Sequence, residues 1–135
     1  MIRKATYEDY VRLVRSIQNK KEVKSYINKD LLRKDIESNS CYIKIENNKI
    51  VAMISLVYDK NYQSYYLKRL IIPNKKNHGK SIAKEMISYF QTNFDFPINI
   101  TPWEDNTPMI KIVEKLGFQF QYKFLENYML YTYVK

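Results

Sequence analysis

Glycine is scarce in this chain. A sequence of 135 residues would ordinarily carry about nine glycines, and this one has two, Gly79 and Gly117. Where glycine is this rare, it is expected at positions whose backbone requires it. Cysteine is scarcer still. Cys41 stands alone, which excludes an intramolecular disulfide and a zinc site built from several thiolates, and suits a reducing cytoplasm. Nothing marks Cys41 as a nucleophile, and it reads as a buried apolar residue. Histidine also occurs once, at His78. No apolar run approaches the roughly 18 residues of a membrane span, and the opening Met-Ile-Arg-Lys-Ala-Thr lacks the apolar stretch of a signal peptide. Acidic residues are outnumbered, 14 against 23 lysines and arginines, so the formal net charge is +9. Such a balance favours an anionic partner: nucleic acid, a membrane surface or a phosphorylated cofactor. With 45% hydrophobic residues the chain can bury a core, and its length suits a single domain over residues 1–135.

The apolar periodicities give an element order. Ile2 to Ala5 can form a short strand, followed by Thr6 as a helix N-cap with Asp9 as its capping-box partner. Tyr10, Val14 and Ile17 continue at helical spacing. A second helical region runs from Lys21 to Glu37 with Leu31, Leu32 and Ile36 as its apolar face. Cys41, Ile43 and Ile45 alternate with polar residues as in a strand, and Asn47-Asn48 suits a hairpin turn because asparagine tolerates positive φ. Further strands follow at Ile50–Tyr58 and Ser64–Ile72, the latter ended by Pro73. Leu70-Ile71-Ile72 suits a central strand covered on both faces. A helix from about Ser81 presents Ile82, Met86, Tyr89 and Phe90, and Pro97–Thr101 reads as a short strand. The next helix has Asn106 or Thr107 as cap and Pro108 in its first turn. Met109, Ile112, Val113 and Leu116 form its apolar stripe, and Gly117 closes it with Phe118 folding back. Two strands end the chain, one through Phe118, Phe120, Tyr122 and Phe124 and one over Tyr128–Val134. The fold class is α/β, with the order β-αα-βββ-α-β-α-ββ.

The link between the central strand and the helix at Ser81 carries the most chemistry. From Lys60 to Lys84 there are seven basic residues (Lys60, Lys68, Arg69, Lys75, Lys76, Lys80, Lys84) and no acidic one. Solvated lysine is the bland reading of such a run. A strand–loop–helix turn gives it a sharper one, because a helix N-terminus presents free N–H groups and partial positive charge to a phosphate. Gly79, Ser81 and Ala83 are small enough for a diphosphate to approach the backbone, while His78, Lys80 and Lys84 can add donors or charge. Gly79-Lys80-Ser81 also ends a P-loop pattern whose first glycine is replaced by Asn74. The roughly fifty residues that follow are too few for a nucleotide-hydrolase sheet, and no apolar strand ending in Asp follows to hold magnesium.

His78-x-x-Ser81-x-Ala83 lies at the spacing of [Arg/Gln]-x-x-Gly-x-[Gly/Ala], and here the chain resembles the GNAT superfamily of N-acyltransferases. Ala83 matches outright; His78 and Ser81 are substitutions. The other register, Lys76-x-x-Gly79-x-Ser81, places Lys84 and Glu85 where the family's helix is apolar, whereas the chosen one places Met86 and Ile87 there. A second stretch, Asn106 through Glu114-Lys115-Leu116-Gly117-Phe118, is similar to the family's late motif. Both glycines of the chain fall in these two stretches, and the element order matches the family over essentially the whole chain. The resemblance implies a mixed, splayed central sheet, with acetyl-coenzyme A as acyl donor lying in the gap beside the central helix. It implies coenzyme A contacts at Leu70, Ile71 and Ile72, whose backbone would bond the pantetheine. Further contacts are implied at His78, Gly79, Lys80, Ser81, Ile82, Ala83, Lys84 and Asn106. It further implies direct transfer to a primary amine of a small molecule or protein, with no covalent enzyme intermediate and no metal.

The sequence departs from that family in its proton chemistry. The late-motif tyrosine that would protonate the departing thiolate is replaced by Val113, which reads as core. No carboxylate lies between Asp59 and Glu85, so the central strand carries no base; Glu104, beside Asp105, is the nearest substitute. Tyr65 and Tyr66 are candidates to reach the site, although an aromatic residue in a strand is more often core. His78 sits at a phosphate position, far from the thioester. Two function classes follow: an amine acetyltransferase with an atypical or absent general acid, and a coenzyme A-binding sensor or interaction module with little catalysis. A nucleic-acid-binding domain is the weaker alternative, because the aromatics alternate as core instead of lining one basic face.

Overall fold

The structure is a computed structural model that describes residues 1–17, 29–73 and 81–135. Its elements are β1 (Ile2–Lys4), α1 (Tyr7–Ile17), α2 (Lys29–Glu37), β2 (Cys41–Glu46), β3 (Lys49–Asp59), β4 (Ser64–Ile71), α3 (Ile82–Asn93), β5 (Ile98–Ile100), α4 (Thr107–Lys115), β6 (Gln119–Phe124) and β7 (Tyr128–Tyr133). This is the order expected from the periodicities. The seven strands follow the order β1-β2-β3-β4-β5-β7-β6. Two compact units share them. The first contains Met1–Leu56 and Arg69–Ile82; the second contains Val57–Lys68 and Ala83–Lys135.

In the first unit α1 starts where Thr6 and Asp9 form a reciprocal capping box. The Thr6 N–H donates to Asp9 Oδ2 at 2.7 Å, and the Asp9 N–H donates to Thr6 Oγ1 at 3.3 Å. Arg3 closes the arrangement with two guanidinium hydrogen bonds to Asp9, at 2.7 and 3.1 Å. Burial raises the Asp9 pKa, but the Arg3 and Thr6 hydrogen bonds outweigh it and hold the carboxyl below its ordinary range. Antiparallel pairing joins β1 to β2 and β2 to β3. The β2–β3 turn is Asn47-Asn48 at φ 51° and 62°, the left-handed pair that a two-residue hairpin turn demands. Leu13, Leu32, Ile36, Cys41, Ile43, Met53 and Ile71 form the core with Ala5. Each fully buried Leu or Ile among them is worth about 1.5–3 kcal/mol.

Two details of this unit differ from the sequence reading. Leu31 is exposed, and Asp35 takes its place on the buried side of α2, which is Leu32-Asp35-Ile36. Strand β2 buries Tyr42 and Lys44 as well as Cys41 and Ile43, so alternation of residue types is not matched by alternation of burial. The part of the expected second helix from Lys21 to Asn28 lies outside the described residues.

In the second unit β4 pairs parallel with β5, Tyr65 to Leu67 lying beside Ile98 to Ile100. β5 and β6 each pair antiparallel with β7. Its buried apolar residues are Leu67, Ala83, Met86, Ile87, Phe90, Ile98, Ile100, Val113, Phe118 and Tyr131. The inward side of α3 runs through Ala83, Met86, Ile87 and Phe90, the i, i+3, i+4, i+7 spacing of an amphipathic helix. Asn106 caps α4 by accepting from the Met109 N–H at 3.3 Å, and Pro108 sits in the first turn. At the other end Gly117 has φ +91°. Its N–H donates to Glu114 O at 3.1 Å, and the Phe118 N–H donates to Val113 O at 3.0 Å. This is a Schellman stop, with Phe118 buried behind it. Among the described residues no helix is long and apolar enough to cross a membrane, and no group of side chains is arranged to hold a metal ion.

Candidate functional site

Strand β4 contains an arginine in a conformation that arginine avoids. Arg69 has φ +55° inside the strand. A non-glycine residue there costs on the order of 1–3 kcal/mol and persists only where its surroundings hold it. Its guanidinium supplies the hold. Nε donates to Asp35 Oδ2 at 2.7 Å, and the nearer terminal nitrogen lies 2.5 Å from the same oxygen. That oxygen also accepts from Ser55 Oγ at 2.7 Å. Ser55 is fully buried in β3 and stands opposite Cys41 of β2. The Cys41 thiol, free and buried, is pushed up to about 12 by burial and then by the Asp35 and Asp9 charges, with Arg69 opposing. Arg69, placed by sequence in a run of solvated or phosphate-facing bases, is thus committed to a protein carboxylate. The sequence reading missed this cluster. One signal was available: Asp35 sits at the centre of an otherwise apolar helical stripe, where a carboxylate needs a partner.

Beyond Arg69 come Leu70, Ile71 and Ile72, the expected pantetheine contacts; Ile71 is buried and its two neighbours are half-buried. Ser81 and Ile82 belong to the same unit as this strand end. Ser81 is exposed in the turn before α3, and Ile82 is buried as the first helical residue. His78, Gly79 and Lys80, with Lys75 and Lys76, lie outside the described residues.

In the second unit Ala83 is buried and Lys84 exposed. Since Ile82 and Ala83 turn their side chains into the interior, what they can offer an anion is backbone N–H, which a first helical turn leaves unbonded within the helix. Lys84 can add a mobile charge. Asn106, expected at coenzyme A, uses its side-chain oxygen as the α4 cap. Val113 is completely buried, in keeping with core packing. Glu104 is 36% exposed, and its carboxylate lies 2.6 Å from Lys123 Nζ. Its N–H donates to Asn127 O at 2.8 Å, so the turn holds it at both ends.

The two tyrosines of β4 part company. Tyr65 joins an aromatic cluster with Tyr58, Phe94 and Phe96, its ring 5.0 Å from that of Phe94. The Tyr66 hydroxyl is hydrogen-bonded to the Thr101 hydroxyl. Near it, Thr132 Oγ1 donates to Asn99 Oδ1 at 2.6 Å and Asn99 Nδ2 donates to Ser64 Oγ at 3.2 Å. Strand alternation places Ser64 and Tyr66 on one face of β4, with Asn99 and Thr101 beside them, so this face is polar where the other carries Tyr65 and Leu67. Tyr131 of β7 is buried, and burial followed by the Glu114 carboxylate raises its pKa above the ordinary phenol value.

No known protein family matches the sequence, and no curated protein matches it either. Solved structures do. A GNAT-family acetyltransferase from Streptococcus agalactiae superimposes with a TM-score of 0.83, covering 100% of this chain and 95% of that one at 16% identity. One from Bacillus cereus gives 0.80, with 100% and 96% covered at 18% identity. Arabidopsis thaliana NAA60, solved in complex with a bisubstrate analogue, gives 0.72, with 98% and 96% covered at 11% identity. At these identities the likeness is one of fold.

Proposed function

Because the chain has the GNAT acetyltransferase fold along its whole length, we propose that it transfers an acetyl group from acetyl-coenzyme A to a primary amine. That full-length likeness is the observation that carries the reading. The local chemistry supports it. A central strand ends at Ile71, a helix begins at Ile82, and the residues joining them include Lys75, Lys76, His78 and Lys80 with no acid. In this reading Ser81, Ile82 and Ala83 offer backbone N–H groups to the diphosphate, with His78, Gly79, Lys80 and Lys84 around it. Leu70 to Ile72 bond the pantetheine through their backbone, and Asn106 is a further coenzyme A contact that the family resemblance implies. The reading takes residues 1–135 as one acetyltransferase domain working in a reducing cytoplasm, with a small molecule or a protein as acceptor.

The transfer is direct. The amine nitrogen forms a bond to the acyl carbon, the carbon–sulfur bond breaks, and coenzyme A leaves as thiolate. The nitrogen gives up one proton and the thiolate takes one. Binding both reactants side by side supplies much of the rate through proximity. The chain's own proton movers are few. Glu104 is the acidic candidate, and its carboxylate lies 2.6 Å from Lys123 Nζ.

A second reading rests on specific observations. Val113 is buried in place of the family's tyrosine, Glu104 is engaged by Lys123, and Tyr131 is made a poorer proton donor. A coenzyme A-binding sensor needs none of these groups to react. Calorimetry with coenzyme A, ATP and magnesium-GTP tests the shared premise. Coenzyme A should bind, more weakly as salt is added, and Ser81→Glu should weaken it by placing a negative charge at the helix start. Tight ATP or GTP binding without coenzyme A binding would overturn both readings and restore the P-loop. Turnover with an amine then separates the enzyme from the sensor.

A further inference from the structure

We infer that Arg69, clamped by Asp35 and Ser55, is a positioning residue for the pantetheine arm of coenzyme A. This rests on the coenzyme A reading above. The φ of Arg69 sets the direction in which the following peptide groups, those of Leu70, Ile71 and Ile72, present their N–H and C=O. In a regular strand those groups would continue the pleat; a left-handed residue re-aims them, as a bulge does. Glycine takes that conformation without strain, and this strand uses arginine instead. The conformation therefore depends on what holds the side chain. Asp35 Oδ2 takes both guanidinium contacts, at 2.7 and 2.5 Å, and the Ser55 hydroxyl at 2.7 Å. Asp35 belongs to α2 and is 7% exposed, while Ser55 belongs to β3 and is 0% exposed, so both anchors stand on regular elements packed in the core. Neutralising a buried carboxylate explains why Asp35 has a cationic partner. It does not explain why that partner is the one strained residue of the strand, placed directly before the peptide groups that would read the ligand. Fixing their direction explains both.

The test compares two probes on the full-length protein by calorimetry: coenzyme A, and adenosine bisphosphate, its nucleotide end without the pantetheine arm. Wild type should bind coenzyme A more tightly than the bisphosphate. Arg69→Gly permits the same φ but removes the clamp, and Asp35→Asn weakens the clamp from the other side. Each should lower coenzyme A affinity about tenfold, the worth of roughly one hydrogen bond, and leave bisphosphate affinity unchanged. Arg69→Lys keeps the charge and should restore part of the difference. Thermal melting runs alongside. Variants that melt earlier yet bind coenzyme A as wild type does would overturn the inference, as would equal losses for both probes. If Arg69→Gly gives no cooperative melt, the ratio of the two affinities in Arg69→Lys and Asp35→Asn decides by the same criteria. Wild type that binds both probes equally would overturn this inference and leave the coenzyme A reading standing. Wild type that binds neither would overturn both.

Discussion

Replacing Gly117 with alanine separates a structural glycine from a ligand-binding one. The glycine lies in the late motif of the coenzyme A reading, yet its observed task is to stop α4 at φ +91°. A Cβ built there would meet ring carbons of Tyr133 at 3.7 and 3.8 Å, which is ordinary contact and no clash. Steric exclusion therefore contributes little, and the cost is the left-handed backbone itself, about 1–2 kcal/mol for an L-residue. For a chain of this size that corresponds to a drop in Tm of roughly 3–6 °C. Both cap hydrogen bonds, Gly117 N–H to Glu114 O and Phe118 N–H to Val113 O, involve backbone alone and survive the change. Gly117→Asn should lose less than Gly117→Ala, because asparagine tolerates the left-handed region. Circular dichroism melting of the three proteins measures this, and calorimetry on the same samples should show unchanged coenzyme A affinity. An alanine variant as stable as wild type, or an asparagine variant that loses more than alanine, would refute the conformational account. Loss of affinity without loss of stability would move Gly117 from the helix stop to the binding site.

Three further outcomes are expected. The Asp9 carboxyl is held below its ordinary range, so its stabilisation is present above the unfolded value of about 3.9 and disappears as pH falls through the lowered folded one. Asp9→Asn should cost about 1–2 kcal/mol at pH 7 by denaturant titration, and the gap to wild type should begin to narrow as pH falls below about 4; a gap independent of pH would contradict the ion-pair origin. The Cys41 thiol, buried and pushed up to about 12, should resist iodoacetamide at pH 8 in native protein and react on unfolding; equal rates in both states would show that it is accessible. With a suitable amine acceptor, acetylation should be slow near neutrality and rise with pH, since an unperturbed lysine amine has a pKa of about 10.4 and a positioned acid or base is worth about 10²–10⁴-fold. Glu104→Gln should then lower turnover without changing coenzyme A affinity, and a bell-shaped profile peaking near neutrality and unaffected by that substitution would assign the proton transfer elsewhere.

Local chemistry made much of the fold legible. Thr6 and Asp9 announced the start of α1, Asn47-Asn48 a hairpin, and Asn106, Pro108 and Gly117 the two ends of α4, because caps and turns are decided by residues a few positions apart. Features that depend on distant segments were not legible. Helical periodicity located the buried side of α2 only to within about one residue, so it admitted Leu31 and left out Asp35. Strand alternation in β2 could not say that both faces would be covered, which buries Tyr42 and Lys44. The candidate site divides in the same way. The strand end and the helix start followed from the chain itself. The commitment of Arg69 to Asp35, and of Glu104 to Lys123, did not, since each joins residues far apart in sequence.

Strand β6 has a bearing on how the protein behaves at high concentration. It stands at one end of the strand order and is exposed along most of its length, with Phe120 and Tyr122 among the exposed residues. A terminal strand of this kind can template pairing with another chain. Two features act against that. The register shifts between Phe120 and Tyr122, so Gln121 interrupts the regular spacing of the ladder, and Lys123 puts a charge on the strand. Deleting Gln121 together with Lys123→Val would give a flatter, uncharged aromatic edge. Light scattering should then detect self-association at protein concentrations where the parent chain stays dispersed.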